Sequence, residues 1–161
     1  MKKLILAIAV IAMCGLGVSC NKEEIENPET NVPQKIVDLF PNASSIEENG
    51  SLITVMDKKG NVLGYLLNSK PASDGIEGKF GETPLEIRFD GSKVVTDVEM
   101  LPNQETESFV DKIKKHGLLD SWNGLGVDEA LNKKVDVVSG ATKTSKSIIK
   151  TFRTAVEVNM K

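Results

Sequence analysis

The run Asp136-Val137-Val138-Ser139-Gly140-Ala141-Thr142 is the stretch whose residue types and spacing most directly imply chemistry. A threonine hydroxyl can be esterified by a phosphate, but it is a weak nucleophile and needs a partner enzyme, so the local backbone must let that enzyme close around it. Gly140 and Ala141 keep the approach to Thr142 open. Downstream, Ile148, Ile149, Phe152, Ala155 and Val156 fall at the spacing of one apolar helix face, which predicts a helix starting between Thr142 and Ser145. The free N–H groups and positive dipole end of such a start favour an anion by about 0.3–1 kcal/mol at an exposed site. Lys143 and Lys146 add positive charge there. Thr142, Thr144 and Ser145 are also ordinary N-cap residues, which is the competing reading of a Ser/Thr cluster before a helix. A P-loop is excluded, because Gly140-Ala141-Thr142-Lys143-Thr144 lacks the first glycine at the required distance.

The elements that must position this segment read as α+β: an antiparallel sheet of hairpins packed with a few helices in a single domain. Pro33 to Phe40 is expected to be a short helix closed by Pro41. Leu52 to Met56 and Asn61 to Leu67 flank the turn Asp57-Lys58-Lys59-Gly60 as a hairpin. A second hairpin is clearer: Leu85, Ile87 and Phe89 alternate with Glu86 and Arg88, then Asp90-Gly91-Ser92 turns into Val94, Thr96, Val98 and Met100. Phe109, Val110 and Ile113 mark a helix from about Glu105 to His116, which Gly117 ends. Leu118 to Asp136 reads as glycine-punctuated and irregular. Trp122, its large aromatic, is a packing anchor or else a platform for a flat ligand.

Composition removes several function classes. Of two cysteines and one histidine, Cys14 and Cys20 lie near the N-terminus and His116 in the polar run Lys114-Lys115-His116-Gly117. That is too little for a metal or iron–sulfur centre, and it provides no Ser-His-Asp or Cys-His arrangement, so no catalytic residues are assigned. Any redox chemistry must come from a borrowed cofactor. The formal charge of −3 gives no reason to bind nucleic acid.

From about Leu63 to Val156 the sequence resembles the FMN-binding domain family, whose members include covalently flavinylated subunits of Rnf-type and sodium-pumping NADH:quinone oxidoreductases. The motif D-x-x-[S/T]-G-A-T is matched by Asp136, Ser139, Gly140, Ala141 and Thr142; Leu63-Gly64-Tyr65 looks like the strand entering the domain. Gly78-Lys79-Phe80-Gly81 resembles a glycine-aromatic-glycine turn, Leu85 to Met100 the paired strands, and Gln104-Glu105-Thr106 the Glu-Thr segment. Glu107-Ser108 departs from the proline and glycine that members often show next. The resemblance implies FMN held covalently by a phosphoester to Thr142 and attached by an FAD-dependent flavin transferase. It implies too that Gly78, Phe80, Gly81, Glu105 and Thr106 belong to the cofactor site. Three glycines within Gly75 to Gly81 make either a flexible loop or a backbone that lets a flat ring come close.

The chain opens with Lys2 and Lys3, the ten-residue apolar run Leu4 to Met13, and small residues up to Cys20. Ten residues are too few to span a bilayer, which takes about 20, so residues 1–19 read as a signal peptide. Gly17-Val18-Ser19-Cys20 resembles a bacterial lipobox, which makes Cys20 the acylated N-terminus and residues 20–32 a polar linker to a domain over 33–161. Asn21 after Cys20 favours the outer membrane over the inner, and Lys22-Glu23-Glu24 resembles a surface-export signal. The expected function is a lipid-tethered, extracytoplasmic electron carrier between a membrane redox complex, or another flavin or quinone donor, and an acceptor. The alternatives are a module holding flavin or another planar ligand non-covalently, and an apo structural envelope lipoprotein.

Overall fold

The computed structural model describes residues 32–161; the expected signal peptide, Cys20 and the linker up to residue 31 lie outside the described residues. One antiparallel sheet runs in chain order through β1 (Ser45–Asn49), β2 (Leu52–Met56), β3 (Val62–Asn68), β4 (Leu85–Asp90) and β5 (Val95–Met100). Helices α1 (Gln34–Leu39), α2 (Glu107–Lys115), α3 (Val127–Asn132) and α4 (Thr142–Met160) complete the α+β fold.

Both expected hairpins form, and an aspartate shapes the turn of each. Asp57 Oδ1 accepts the Lys59 and Asn61 N–H groups, and Asp90 Oδ1 accepts those of Ser92 and Val94. The Asn61 side chain, then its backbone N–H, hold the Asp57 carboxyl below its ordinary range. Beyond the expected elements the fold adds β1, α3 and a 3-10 turn, Leu119–Trp122. That turn leads into the segment shielding the outer edge of β5, where Val95 N–H donates to Leu125 O at 2.9 Å and Gly124 N–H to Val95 O at 2.8 Å.

β3 serves two cores, because successive strand side chains point to opposite faces. Leu66 packs with Val32, Ile36, Ala43 and Val55 under α1. Leu67 joins the larger cluster, in which Ile148, Phe152, Ala155, Val156 and Met160 of α4 lie across Leu85, Ile87 and Phe89. Val32, the last residue assigned to the linker by sequence, is thus packed inside the smaller core. Gly64 is required in mid-strand: a Cβ there would lie 2.5 Å from Phe40 Cε1 and 2.4 Å from the Phe89 carbonyl oxygen. Trp122 is fully buried and stacks on Phe152, with centroids 4.0 Å apart and planes 9° from parallel. It is a packing anchor. Phe152 lies ten residues along α4 from Thr142, about 15 Å of helix.

This packing fixes the axis of the helix that carries the motif. Phe152→Ala removes the ring from between Trp122 and the sheet and lowers the unfolding free energy by about 3–5 kcal/mol in a urea titration. A loss below about 1 kcal/mol would show that the sheet holds α4 by other contacts.

Candidate functional site

Gly140 turns the chain into α4. Its φ of +77° is the left-handed region that glycine adopts without penalty, and the turn closes with Ala141 N–H donating to Val138 O at 3.0 Å. Ser145 then stitches helix to turn, its hydroxyl accepting Val138 N–H at 3.0 Å and donating to Ala141 O at 2.9 Å. The N-cap is Ala141, which offers no side-chain hydrogen bond. The reading of Thr142, Thr144 or Ser145 as the cap is therefore corrected: Thr142 is the first helical residue and exposed, while Thr144 and Ser145 are buried and bonded elsewhere. The first N–H groups of α4 face outward without a side-chain acceptor, which is the condition that favours an anion.

Glu105 ties this helix start to the glycine turn. It is 8% exposed; Oε1 accepts the N–H groups of Lys79 at 2.7 Å and Phe80 at 2.8 Å, and Oε2 accepts the Thr144 hydroxyl at 2.6 Å. A carboxylate can be buried when its oxygens are satisfied in this way. Gly78 leaves room for it, since a Cβ at that position would stand 2.5 Å from Glu105 Oε1. Gly78 N–H donates to Gly81 O at 2.7 Å, closing the turn. A second buried link joins the same loop to α4: Thr83 Oγ1 and Ser147 Oγ lie 2.6 Å apart, and Ser147 Oγ donates to Ile76 O.

A groove of about 270 Å³ opens between turn and helix, lined by Lys79, Phe109, Gly140, Ala141, Thr142 and Lys143, with Thr144 at its base. Phe80, 52% exposed, and Phe109 hold their rings within 9° of parallel, centroids 6.4 Å apart. Lys79 Nζ lies 5.1 Å and 4.4 Å from those centroids, within cation–π range. Lys112 reaches over the turn, its Nζ 3.0 Å from the place of a Cβ on Gly140. Neither Lys79, Lys112 nor Lys143 forms a salt bridge among the described residues. Uncompensated cations beside an uncapped helix start and a stacked aromatic pair, Phe80 exposed and Phe109 half-buried, suit a ligand with a phosphate and a flat ring system, and FMN is such a ligand.

The structure brings Thr142, Gly140, Ala141, Gly78, Phe80 and Glu105 together. Gly81 borders them, although a Cβ there would make only an ordinary 3.5 Å contact with Gln104. Thr106 is exposed at the N-cap of α2, where its carbonyl accepts the N–H groups of Phe109 and Val110. Asp136 and Ser139 are exposed and face a different groove, of about 530 Å³, on the side of His116. Sequence reasoning did not single out Lys79, Phe109, Lys112 or Thr144 as site residues. Phe109 was visible as an apolar helix position, but Thr144 has its partner 39 residues away, which no local pattern reveals.

The Glu105 link carries a measurable share of stability. Thr144→Val leaves a buried carboxylate oxygen without its donor and costs about 1–3 kcal/mol by urea unfolding. Gly78→Ala displaces the same carboxylate, so in the Thr144→Val background it costs less than it does alone. Additive losses would mean that the two residues do not share Glu105.

Comparison with curated proteins finds none that matches the chain. Residues 78–157 match a family described as FMN-binding domain, a stretch running from the glycine turn through Glu105 and the Asp136–Thr142 segment into α4. Over residues 78–157 this chain belongs to the FMN-binding domain family, which gives it flavin binding and electron transfer as its function.

Proposed function

We propose that the protein carries FMN as a phosphoester on Thr142 and passes electrons between a membrane redox donor and an acceptor outside the cytoplasm. The observation that supports it best is the placement of Thr142, exposed as the first residue of α4 behind a cap with no side-chain acceptor. Lys79, Lys112 and Lys143 stand around a phosphate at that position, and the rings of Phe80 and Phe109 offer apolar surface to the isoalloxazine. Bound FMN supplies the electron-transfer chemistry that no side chain of this protein offers. Glu105, through Thr144 and the glycine turn, holds both walls of the groove in register.

Attachment belongs to a separate FAD-dependent flavin transferase, because Thr142 has no general base of its own beside it in the groove. The Thr142 hydroxyl attacks the FMN-side phosphorus of FAD. The new Oγ–P bond replaces the pyrophosphate bond, AMP leaves, and the hydroxyl proton passes to a base of the transferase. Acylation at Cys20 tethers the domain to a bacterial membrane, the outer one in preference to the inner, with surface exposure as its extension. Tether and ester have a common rationale: each keeps an electron carrier from being lost outside the cytoplasm.

Protein produced with the transferase should exceed protein produced without it by the mass of FMN less water. Thr142→Ala should show no flavin fluorescence in a denaturing gel where the wild type does. Equal masses, or peptide mapping that finds residues 136–150 unmodified with active transferase present, would refute the ester. The aromatic pair favours one second reading, a site that holds flavin without a bond. Recovery of flavin by Thr142→Ala protein after denaturation and refolding with free FMN selects that reading.

A further inference from the structure

Between α3 and the Gly140 turn, residues 133–138 run with neither helix, turn nor bend. The run is fastened at both ends. Lys133 O accepts a hydrogen bond from Arg153 Nη2 at 2.9 Å, and Val138 N–H donates to Ser145 Oγ at 3.0 Å. Between them, none of the backbone N–H or C=O groups of Lys134 to Val137 pairs with another described residue. A stretched segment with free main-chain donors and acceptors is a template for an added strand, and its fixed ends mean that little entropy is lost on pairing.

The side chains of the segment divide in the same sense. Val138 and Ala141 are buried and hold the backbone, while Asp136, Val137, Ser139 and Thr142 are exposed. Asp136 and Ser139 bond to no other described side chain, so two of the motif's five fixed positions do nothing for the fold. Both face the groove of about 530 Å³ whose far wall is His116, Leu118 and Ser121 and whose rim carries Lys133 and Lys134.

We infer that the flavin transferase docks by laying an extended, acidic segment of its own into this groove as a strand paired with Lys134–Val137, reading Asp136 and Ser139 beside it and so bringing its active centre to Thr142. The inference rests on the reading that Thr142 is esterified by such an enzyme. Charge sets the character of the incoming strand. Residues 112–161 hold ten basic and five acidic side chains, whereas residues 32–111 hold seven and fourteen, so the groove lies in the basic part of an acidic chain. The competing occupant is a second copy of the protein offering β1, an edge strand with Glu47 and Glu48. The transferase is preferred because the segment that lines this groove runs on through the Gly140 turn to Thr142, the residue the enzyme must reach, only a few residues away.

Two measurements test the docking mode. Alternate N–H groups of an extended chain point to opposite edges, so Lys134→Pro and Val137→Pro each remove a donor from one edge while sparing every fixed residue of the motif. Lys133, with φ −63° and ψ 130°, already has the backbone that a following proline requires. With melting temperatures unchanged, one of the two variants should be flavinylated with kcat/KM lower by roughly tenfold or more, and Val137→Ala should stay within about twofold of wild type. In hydrogen–deuterium exchange, mixing the full chain with an inactive transferase variant and FAD should protect amides within Lys134–Val137. Wild-type rates for both proline variants, or no protection there, overturn the proposal. Protection on concentrating the protein alone assigns the groove to a second copy and overturns it as well. If wild type is labelled on Thr142 but both proline variants react normally, only the docking mode fails; if wild type is not labelled at all, the esterification reading fails first.

Discussion

The three hydrogen bonds that end on Glu105 are the constraint on which the site depends. Its carboxylate touches both the glycine turn, through the Lys79 and Phe80 N–H groups, and the first turn of α4, through Thr144. Without it, the loop would be tied to α4 only through Ser147, about one turn further from Thr142, by its bonds to Thr83 and Ile76. The buried location makes the constraint strict, because a carboxylate withdrawn from water loses far more by missing a partner than it gains by having one. Hence the neighbours are chosen around it. Gly78 must lack a side chain to admit Oε1, and Thr144 must present a hydroxyl inward from a position whose sequence neighbours, Thr142 and Lys143, look outward.

Much of the fold was legible because its elements are amphipathic in the regular way. Strand β4 alternates so cleanly that its burial follows the sequence residue by residue, and α4 announces itself through Ile148, Phe152, Ala155 and Val156. In β5 a register shift beside Arg88 and Phe89 interrupts the alternation, burying Val95 and Val98 and leaving Thr96 exposed. The elements that escaped lack such a stripe. β1 exposes four of its five residues, so the edge strand SIEEN has no apolar alternation to find. α3 is six residues long with Ala130 as its buried position, and it lies within a stretch whose glycines read as irregular. The expected helix from Glu105 begins instead at Glu107, which frees Glu105 for the interior.

The Asp136–Thr142 segment was legible because five of its seven positions are fixed in type, but its surroundings were not. Lys79, Lys112 and Lys143 come from three separate elements, and their convergence is a property of the fold. Net charge concealed it too: a chain of −3 reads as mildly acidic, although the residues beyond 112 are basic in excess. The motif itself gives no hint that its fixed residues split between two grooves, with Thr142 in one and Asp136 and Ser139 in the other. Only the half-turn at Gly140 reveals this.

Helix α4 shows why the two kinds of contact are distributed as they are. Its later turns grip the sheet with apolar side chains, which supply most of the energy but tolerate small rotations and slides, since hydrophobic contact is not directional. Its first turns are held by hydroxyls: Thr144 on Glu105, Ser145 on the Gly140 turn, Ser147 on Thr83 and Ile76. Hydrogen bonds have narrow distance and angle requirements, so these contacts fix the rotation and register of the helix at the end where Thr142 must stand free. A wholly apolar first turn would bury as much surface. It would not specify which residue of the Ser/Thr cluster is left outside, and that choice is what leaves the Thr142 hydroxyl, and not that of Thr144, exposed to solvent.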